Sequence, residues 1–313
     1  MLLASLAVGL LPMLARAQAN FPNKPIKLVV PFGPGMAPDI VARGLGDGLR
    51  RELGQPVVIL NKPGAGGAIG YKYTVGQKPD GYSLVLNSNS VSTGFHGGLM
   101  PFSHEAFDAV ARICVEFPVL AVRADSPFSN LKDMVDFVKR KPGELRVGST
   151  STGSHMHLTS VAFFNLVGGE VTLVPFATTG SITSLLGGHI DAVVTLPGSV
   201  SGQVLGGQAK VLGVLASARE PVFQNVKTAT EQGFAFQSDL WRGIAAPKGL
   251  PPDVVAKLSE ALRKIVTSAE FKQIGDRAGF HPAYLPPADF ARSIVAEDAV
   301  IAAVLKKIAI LPK

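Results

Sequence analysis

The chain reads as an α/β protein of two lobes with a ligand cleft between them. Three observations lead there. Short apolar runs alternate with helical patterns along the chain. Glycine-rich and hydroxyl-rich segments follow the runs at their C-terminal ends. The alternation starts afresh after Asp125-Ser126-Pro127 and returns to another run at Trp241. Alternation of this kind predicts parallel sheets covered by helices. Ligands of such sheets bind beyond the C-terminal strand ends.

Taken in order, residues 1–19 are expected to be a signal peptide. Met1 to Leu14 is almost wholly apolar, and Ala15-Arg16-Ala17 and Ala17-Gln18-Ala19 both fit a small-x-small cleavage site. The run is too short to cross a bilayer comfortably. Cleavage before Gln18 or Asn20 delivers a periplasmic protein, although no Lys or Arg precedes the apolar run.

Pro25 to Val30 is the first strand, and Pro31 to Ala37 its loop. Pro38 suits a first helical position and Asp39 the first turn, where the helix dipole favours a carboxylate. Val41, Leu45, Leu49 and Leu53 then repeat every four residues on one face, until Gly54. Val57 to Leu60 is a second strand, and Asn61 to Gly67 a glycine-rich loop opening a helix near Ala68. Tyr82 to Asn87 is a third strand, ending in Ser88-Asn89-Ser90.

After Asp125, Asn130 caps a helix through Leu131, Val135 and Val138. Leu145-Arg146-Val147 is a strand running into Gly148-Ser149-Thr150-Ser151-Thr152-Gly153-Ser154 and a helix from His155 to Leu166. Val171 to Pro175, Asp191 to Thr195 and Ala209 to Leu215 are strands. Ile182 to Leu186 is a helix. Trp241 to Pro247 and two long helices, from Pro252 to Thr267 and from Pro287 to Lys307, complete the chain. The second unit is thus inserted in the first: lobe 1 comprises residues 20–123 and 236–313, lobe 2 residues 124–235.

Composition narrows the chemistry. The 313 residues are 47% hydrophobic and 17% charged, a folded composition. The net charge of +7 is spread thinly, with no run longer than Lys139-Arg140-Lys141 and no aromatic platform, so a nucleic-acid partner is not expected. Cys114, the only cysteine, sits between Ile113 and Val115 and reads as a buried thiol. His155-Met156-His157 does not read as a metal site, because residues two apart diverge on a helix. In Gly64-Ala65-Gly66-Gly67-Ala68-Ile69-Gly70, Ile69 stands where a dinucleotide fingerprint needs Gly or Ala. No cofactor is expected. A hydrolase using Ser149 or Ser154 with His157 is the enzymatic alternative, but no G-x-S-x-G elbow occurs. Asp191 reads equally as a ligand contact or a turn residue, and Trp241 as a cleft wall or interlobe core.

The set of motifs resembles one family. Phe21-Pro22-x-Lys24-Pro25-Ile26-x-Leu28-Val29-Val30-Pro31-Phe32 and Pro34-Gly35-x-x-x-Asp39-x-x-Ala42-Arg43 are similar to the start of mature Bug-type solute-binding proteins of tripartite tricarboxylate transport systems. Gly54-Gln55-Pro56-Val57-Val58, Asn61 to Gly70, Lys78-Pro79-Asp80-Gly81-Tyr82, Gly148 to Leu158, Leu185-Leu186-Gly187-Gly188-x-Ile190-Asp191 and Trp241-x-Gly243-x-x-Ala246-Pro247 continue the resemblance. It implies a periplasmic-binding fold of type II topology, no catalysis, membrane transporter subunits as partners, and a monomeric receptor. A membrane signalling partner is the alternative. It also implies a small carboxylate held by amides, hydroxyls and waters rather than an arginine clamp. Carried over by position, the contacts are Phe32, Gly35, Met36, Ala37, Asp39, Gly66, Gly67 and Ser88 in lobe 1. In lobe 2 they are Ser149, Thr150, Thr152, Gly153, Ser154 and His157, with Thr178, Thr179 and Asp191 behind. Two segments depart from the pattern: Met36-Ala37-Pro38 follows a single Gly35, and the loop from Phe176 to Ser184 is short and lacks its basic residue.

Overall fold

The computed structural model describes residues 21–177 and 179–308. The expected signal peptide and Thr178 lie outside them.

Two mixed sheets form. The first has the order β11-β4-β10-β3-β1-β2 and the second β7-β6-β8-β5-β9. In the first, β1 (Ile26–Val30), β2 (Val57–Asn61) and β3 (Ser83–Ser88) are parallel. β10 (Leu240–Pro247), β4 (Phe107–Glu116) and β11 (His281–Leu285) extend it antiparallel. In the second, β6 (Arg146–Thr150), β7 (Thr172–Phe176) and β8 (Ala192–Thr195) are parallel. β5 (Val119–Arg123) runs against β8 and β9 (Ala209–Val214).

The parallel expectation therefore holds for only part of each sheet. A parallel neighbour needs a crossover connection. β10 instead arrives from the other sheet with no crossover helix, and enters antiparallel. The change of sheet also comes earlier than the boundary after Arg123. β5 pairs in the second sheet, so the chain crosses at Phe117-Pro118. Pro118 has no N–H to donate to a ladder. The return comes later than residue 236, since Phe234 and Phe236 still pack on the second core.

The helices cover both faces. α1 (Ala37–Leu53) carries Asp39 in its first turn, ends at Gly54 with φ 67°, and buries Val41, Leu45 and Leu49. Burying each such Leu is worth about 1.5–3 kcal/mol. α2 (Ala68–Val75) and α3 (Ser90–His96) follow the second and third strand ends. In the second unit α4 (Leu131–Arg140), α5 (His155–Leu166), α6 (Gly180–Leu186) and α7 (Pro197–Leu205) alternate with strands. α8 (Pro252–Val266), α9 (Ala269–Ala278) and α10 (Pro287–Ile308) close the chain. Sequence reading missed α3, α7, α9, β4, β5 and β11, although Ser268 and Gly279 bracket α9 as ordinary caps.

The two units touch closely. A Cβ on Gly66 would lie 2.8 Å from the Gly153 carbonyl carbon, and one on Gly198 would lie 2.5 Å from the Ala278 oxygen. Both positions require glycine for that approach.

Candidate functional site

The strand ends of both sheets converge on one small cavity of about 20 Å³. That is room for roughly one water, so the two units stand close together over the site. Six hydroxyls line it: Ser88 and Ser90 from the first unit, and Thr150, Ser154, Thr195 and Ser199 from the second. Phe32, Met36, Met156, Leu196 and Leu240 supply apolar walls, and Arg242 supplies a charge.

The closure has a reciprocal pattern. The first amides of a helix have no intrahelical acceptor. At the start of α1, the Ala37 N–H donates to Ser199 Oγ at 3.2 Å, across the cleft. At the start of α5, the His155 N–H donates to Ser90 Oγ at 3.2 Å, in the opposite direction. Each unit thus offers an amide and a hydroxyl to the other.

The loop after β1 is held from behind. Asp39 is 3% exposed. Its carboxylate accepts from the Gly35 N–H at 3.0 Å, Arg43 Nε at 2.9 Å and Asn61 Nδ2 at 3.0 Å. Burial raises its pKa, but hydrogen bonds from Arg43, Gly35 and Asn61 prevail and hold it below the usual carboxylate range. Asp39 therefore positions the loop and does not line the cavity. Gly35, at φ 75°, faces Thr179, whose Cγ2 would lie 3.6 Å from an added Cβ. Phe32 and Met36 do line the cavity. Gly66 meets the opposite loop, whereas an added Cβ on Gly67 would meet Tyr71 and Pro31 inside its own unit.

The loop after β6 is held by its own hydroxyls. Thr150 Oγ1 and Ser154 Oγ share a hydrogen bond of 2.7 Å, and Ser154 Oγ accepts from the His157 N–H at 3.2 Å as the cap of α5. The Gly153 N–H donates to His157 Nδ1 at 3.3 Å. Burial pushes the His157 imidazole down, which keeps it neutral and an acceptor. With Nδ1 so occupied, His157 is placed as a loop clamp. Ser149 does not line the cavity: its Oγ donates to the Thr150 carbonyl at 3.2 Å. Thr152 and Thr179 are exposed at the rim.

Asp191 is not at the site. It stands beside the start of β6, where Arg146 Nη2 donates to Oδ1 at 2.8 Å and the Arg146 N–H to Oδ2 at 2.9 Å. Thr150 and Thr195 lie at the other ends of β6 and β8, about 13 Å away at the usual strand rise. Trp241 is core rather than cleft wall. It packs edge-on to Phe290 with ring centroids 5.1 Å apart. Successive strand residues face opposite ways, so burying Trp241 in that core turns Leu240 and Arg242 toward the cleft. Sequence reading missed Ser90, Thr195, Ser199, Met156 and Arg242. The alternation around Trp241 was the available signal for Arg242; Ser199, one of two serines in α7, offers none.

Cys114 is buried, and burial raises its thiol pKa well above the usual value. Among the described residues, no group of three His, Cys, Asp or Glu is placed to hold a metal ion.

A sequence profile described as tripartite tricarboxylate transporter family receptor matches residues 41–310. The protein BugT of Bordetella pertussis is 30% identical over 285 residues, covering 89% of this chain and 87% of that one. Among solved structures, the periplasmic binding protein BugD superposes with a TM-score of 0.88 at 26% identity, covering 94% of this chain and 100% of its own. MatC from Rhodopseudomonas palustris, with bound malate, superposes at 0.80 and 26% identity, covering 92% and 98%. The chain belongs to the tripartite tricarboxylate transporter receptor family.

Proposed function

We propose that the chain captures a small organic acid between its two units in the periplasm and presents it to membrane transporter subunits. The reciprocal contacts of Ala37 with Ser199 and His155 with Ser90 carry this reading. On opening, these amides and hydroxyls lose their partners across the cleft and become donors for a carboxylate. Such donors at helix starts suit an anion. Membership of a family of receptors supports binding rather than catalysis as the chain's role. The malate-bound relative supports a carboxylate ligand. The apolar walls from Phe32, Met36, Met156, Leu196 and Leu240 favour a monocarboxylate with a hydrophobic or aromatic body over citrate or succinate. A monomeric receptor released by cleavage before Gln18 or Asn20 fits this role.

Calorimetry of the purified protein against mono-, di- and tricarboxylates tests the ligand class. Tightest binding is expected for an apolar monocarboxylate. Tightest binding of citrate contradicts the apolar preference, and no binding of any acid contradicts the receptor reading. N-terminal sequencing of periplasmic material tests the cleavage.

A further inference from the structure

We infer that Arg242, held from behind by Glu116, is the anchor for the ligand's acid group and selects monoanions. The inference rests on the receptor reading above and goes further, because it names a guanidinium where the family resemblance implies only amides, hydroxyls and waters.

Arg242 is 2% exposed, yet it lines the cavity, and among the described lining residues it alone carries a charge. Its register places it beside Ser88 of β3 and Cys114 of β4. The cavity hydroxyl of Ser88 is therefore its strand neighbour. Glu116, 1% exposed and at the last position of β4, pairs with it through Nε. The pair meets by proximity, and neither Nε nor Glu116 Oε2 has an aligned hydrogen-bond partner. A guanidinium carries five N–H donors in a fixed fork. Glu116 takes the Nε side, and among the described residues it is the only carboxylate paired with Arg242. The Nη edge can then receive a carboxylate bidentately, the geometry for which arginine is suited.

The charge balance sets the selectivity. Arg242 and Glu116 neutralise each other, so a bound monoanion leaves the site at a single negative charge. A second carboxylate on the ligand would find no further cation among the described lining residues. Burying an unpaired charge is costly, so dianions are disfavoured.

The test uses the purified full mature protein and a fixed set of probes: hexanoate, benzoate and phenylacetate, with adipate as the dianion. The tightest probe for the unmutated protein is titrated into Arg242→Lys and into the double variant Glu116→Gln/Arg242→Met. The first keeps the charge but loses the fork; the second removes both charges and fills the same space, which avoids stranding a buried Glu116. Both should weaken the monocarboxylate at least about tenfold, the scale of losing charge-assisted hydrogen bonds, while thermal melting shows a cooperative fold. An affinity within about twofold of the unmutated protein in either folded variant overturns the inference and leaves the receptor reading standing. If neither variant folds, the Arg242 side-chain nitrogen resonances of the unmutated protein decide: they shift on adding the monocarboxylate, and unchanged resonances at saturation overturn the inference. If the unmutated protein binds none of the three monocarboxylates, the inference is overturned; if adipate still binds, the receptor reading survives it.

Discussion

The two loops that face each other across the cleft are built on opposite plans. The loop of lobe 1, Pro31 to Met36, is fixed by a buried carboxylate behind it, Asp39, which leaves Phe32 and Met36 to shape the cavity. The loop of lobe 2, Ser151 to Ser154, is fixed by groups that are themselves at the cavity, with Ser154 both capping α5 and bonding Thr150. In the first loop, structure and recognition are separable. In the second, the same hydroxyl serves both.

The largest effect should come from breaking the first loop from behind. Asp39→Ala strands the Gly35 N–H, Asn61 and Arg43, and should cost about 1–3 kcal/mol in urea unfolding. The Asp39 pKa is lowered, so its contribution is present above the unfolded value of 3.8 and is lost as pH falls through the folded one. Asp39→Asn should remove that acid-dependent part. Equal acid sensitivity in the variant contradicts the positioning role.

Breaking the second loop should be milder for the fold and more direct for binding. Ser154→Ala removes a helix cap, at about 1 kcal/mol, and takes a cavity donor with it. Melting and calorimetry should both report a loss, whereas the Asp39 variant should lose stability out of proportion to affinity. A Ser154 variant that binds normally would mean that the loops are alike.

The joining region allows a finer comparison, because two buried groups there titrate with opposite sign. His155, whose Nε2 lies 3.2 Å from Ser238 Oγ, is pushed by burial down to about 4. The unfolded chain protonates this residue near 6.5 and the folded one does not, so its contribution is present above 6.5 and is lost as pH falls toward 4. Glu297, hydrogen-bonded by Trp241 Nε1 and Asn89 Nδ2, is pushed by burial up to about 7. Its contribution is present below 4.5 and is lost as pH rises through about 7. Between pH 4.5 and 6.5 the two oppose each other. Glu297→Gln should make stability rise more steeply with pH there, and His155→Gln should make it fall. Urea unfolding across that range checks both, and parallel curves for the two variants refute the assignment.

The smallest effects mark where sequence position and side-chain direction part. Ser149→Ala and Asp191→Asn should each leave acid affinity within about twofold, or under about 0.5 kcal/mol. Calorimetry showing a tenfold loss in either would return that residue to the site.

That distinction also describes what the sequence discloses. The alternation of runs and loops identified β1, β2, β3, β6 and the ends that face the cleft, because glycines and hydroxyls at strand ends leave a compositional trace. It did not disclose β4 and β5, which follow one another with no helix between them. Nor did it tell Ser149, which turns to its own backbone, from Thr150, which turns to the cavity. Met36 was legible as a side chain where the family resemblance implies bare glycine. Ser199 and Ser90 were not, because their role depends on a helix start in the other unit. Arg242 lay one residue from a singled-out tryptophan, and only the burial of Trp241 fixes which way it points.

The account's central claim is that an organic acid draws the two units together around itself, at the helix starts and hydroxyls that otherwise meet as Ala37–Ser199 and His155–Ser90. Solution scattering of the acid-free protein, titrated with the monocarboxylate that calorimetry ranks first, tests it most directly. The radius of gyration should fall as the acid saturates, toward the value for the arrangement in this structure, whose cavity of about 20 Å³ is too small to hold the acid itself. A radius unchanged at saturation would contradict closure and mean that the acid binds without bringing these strand ends together.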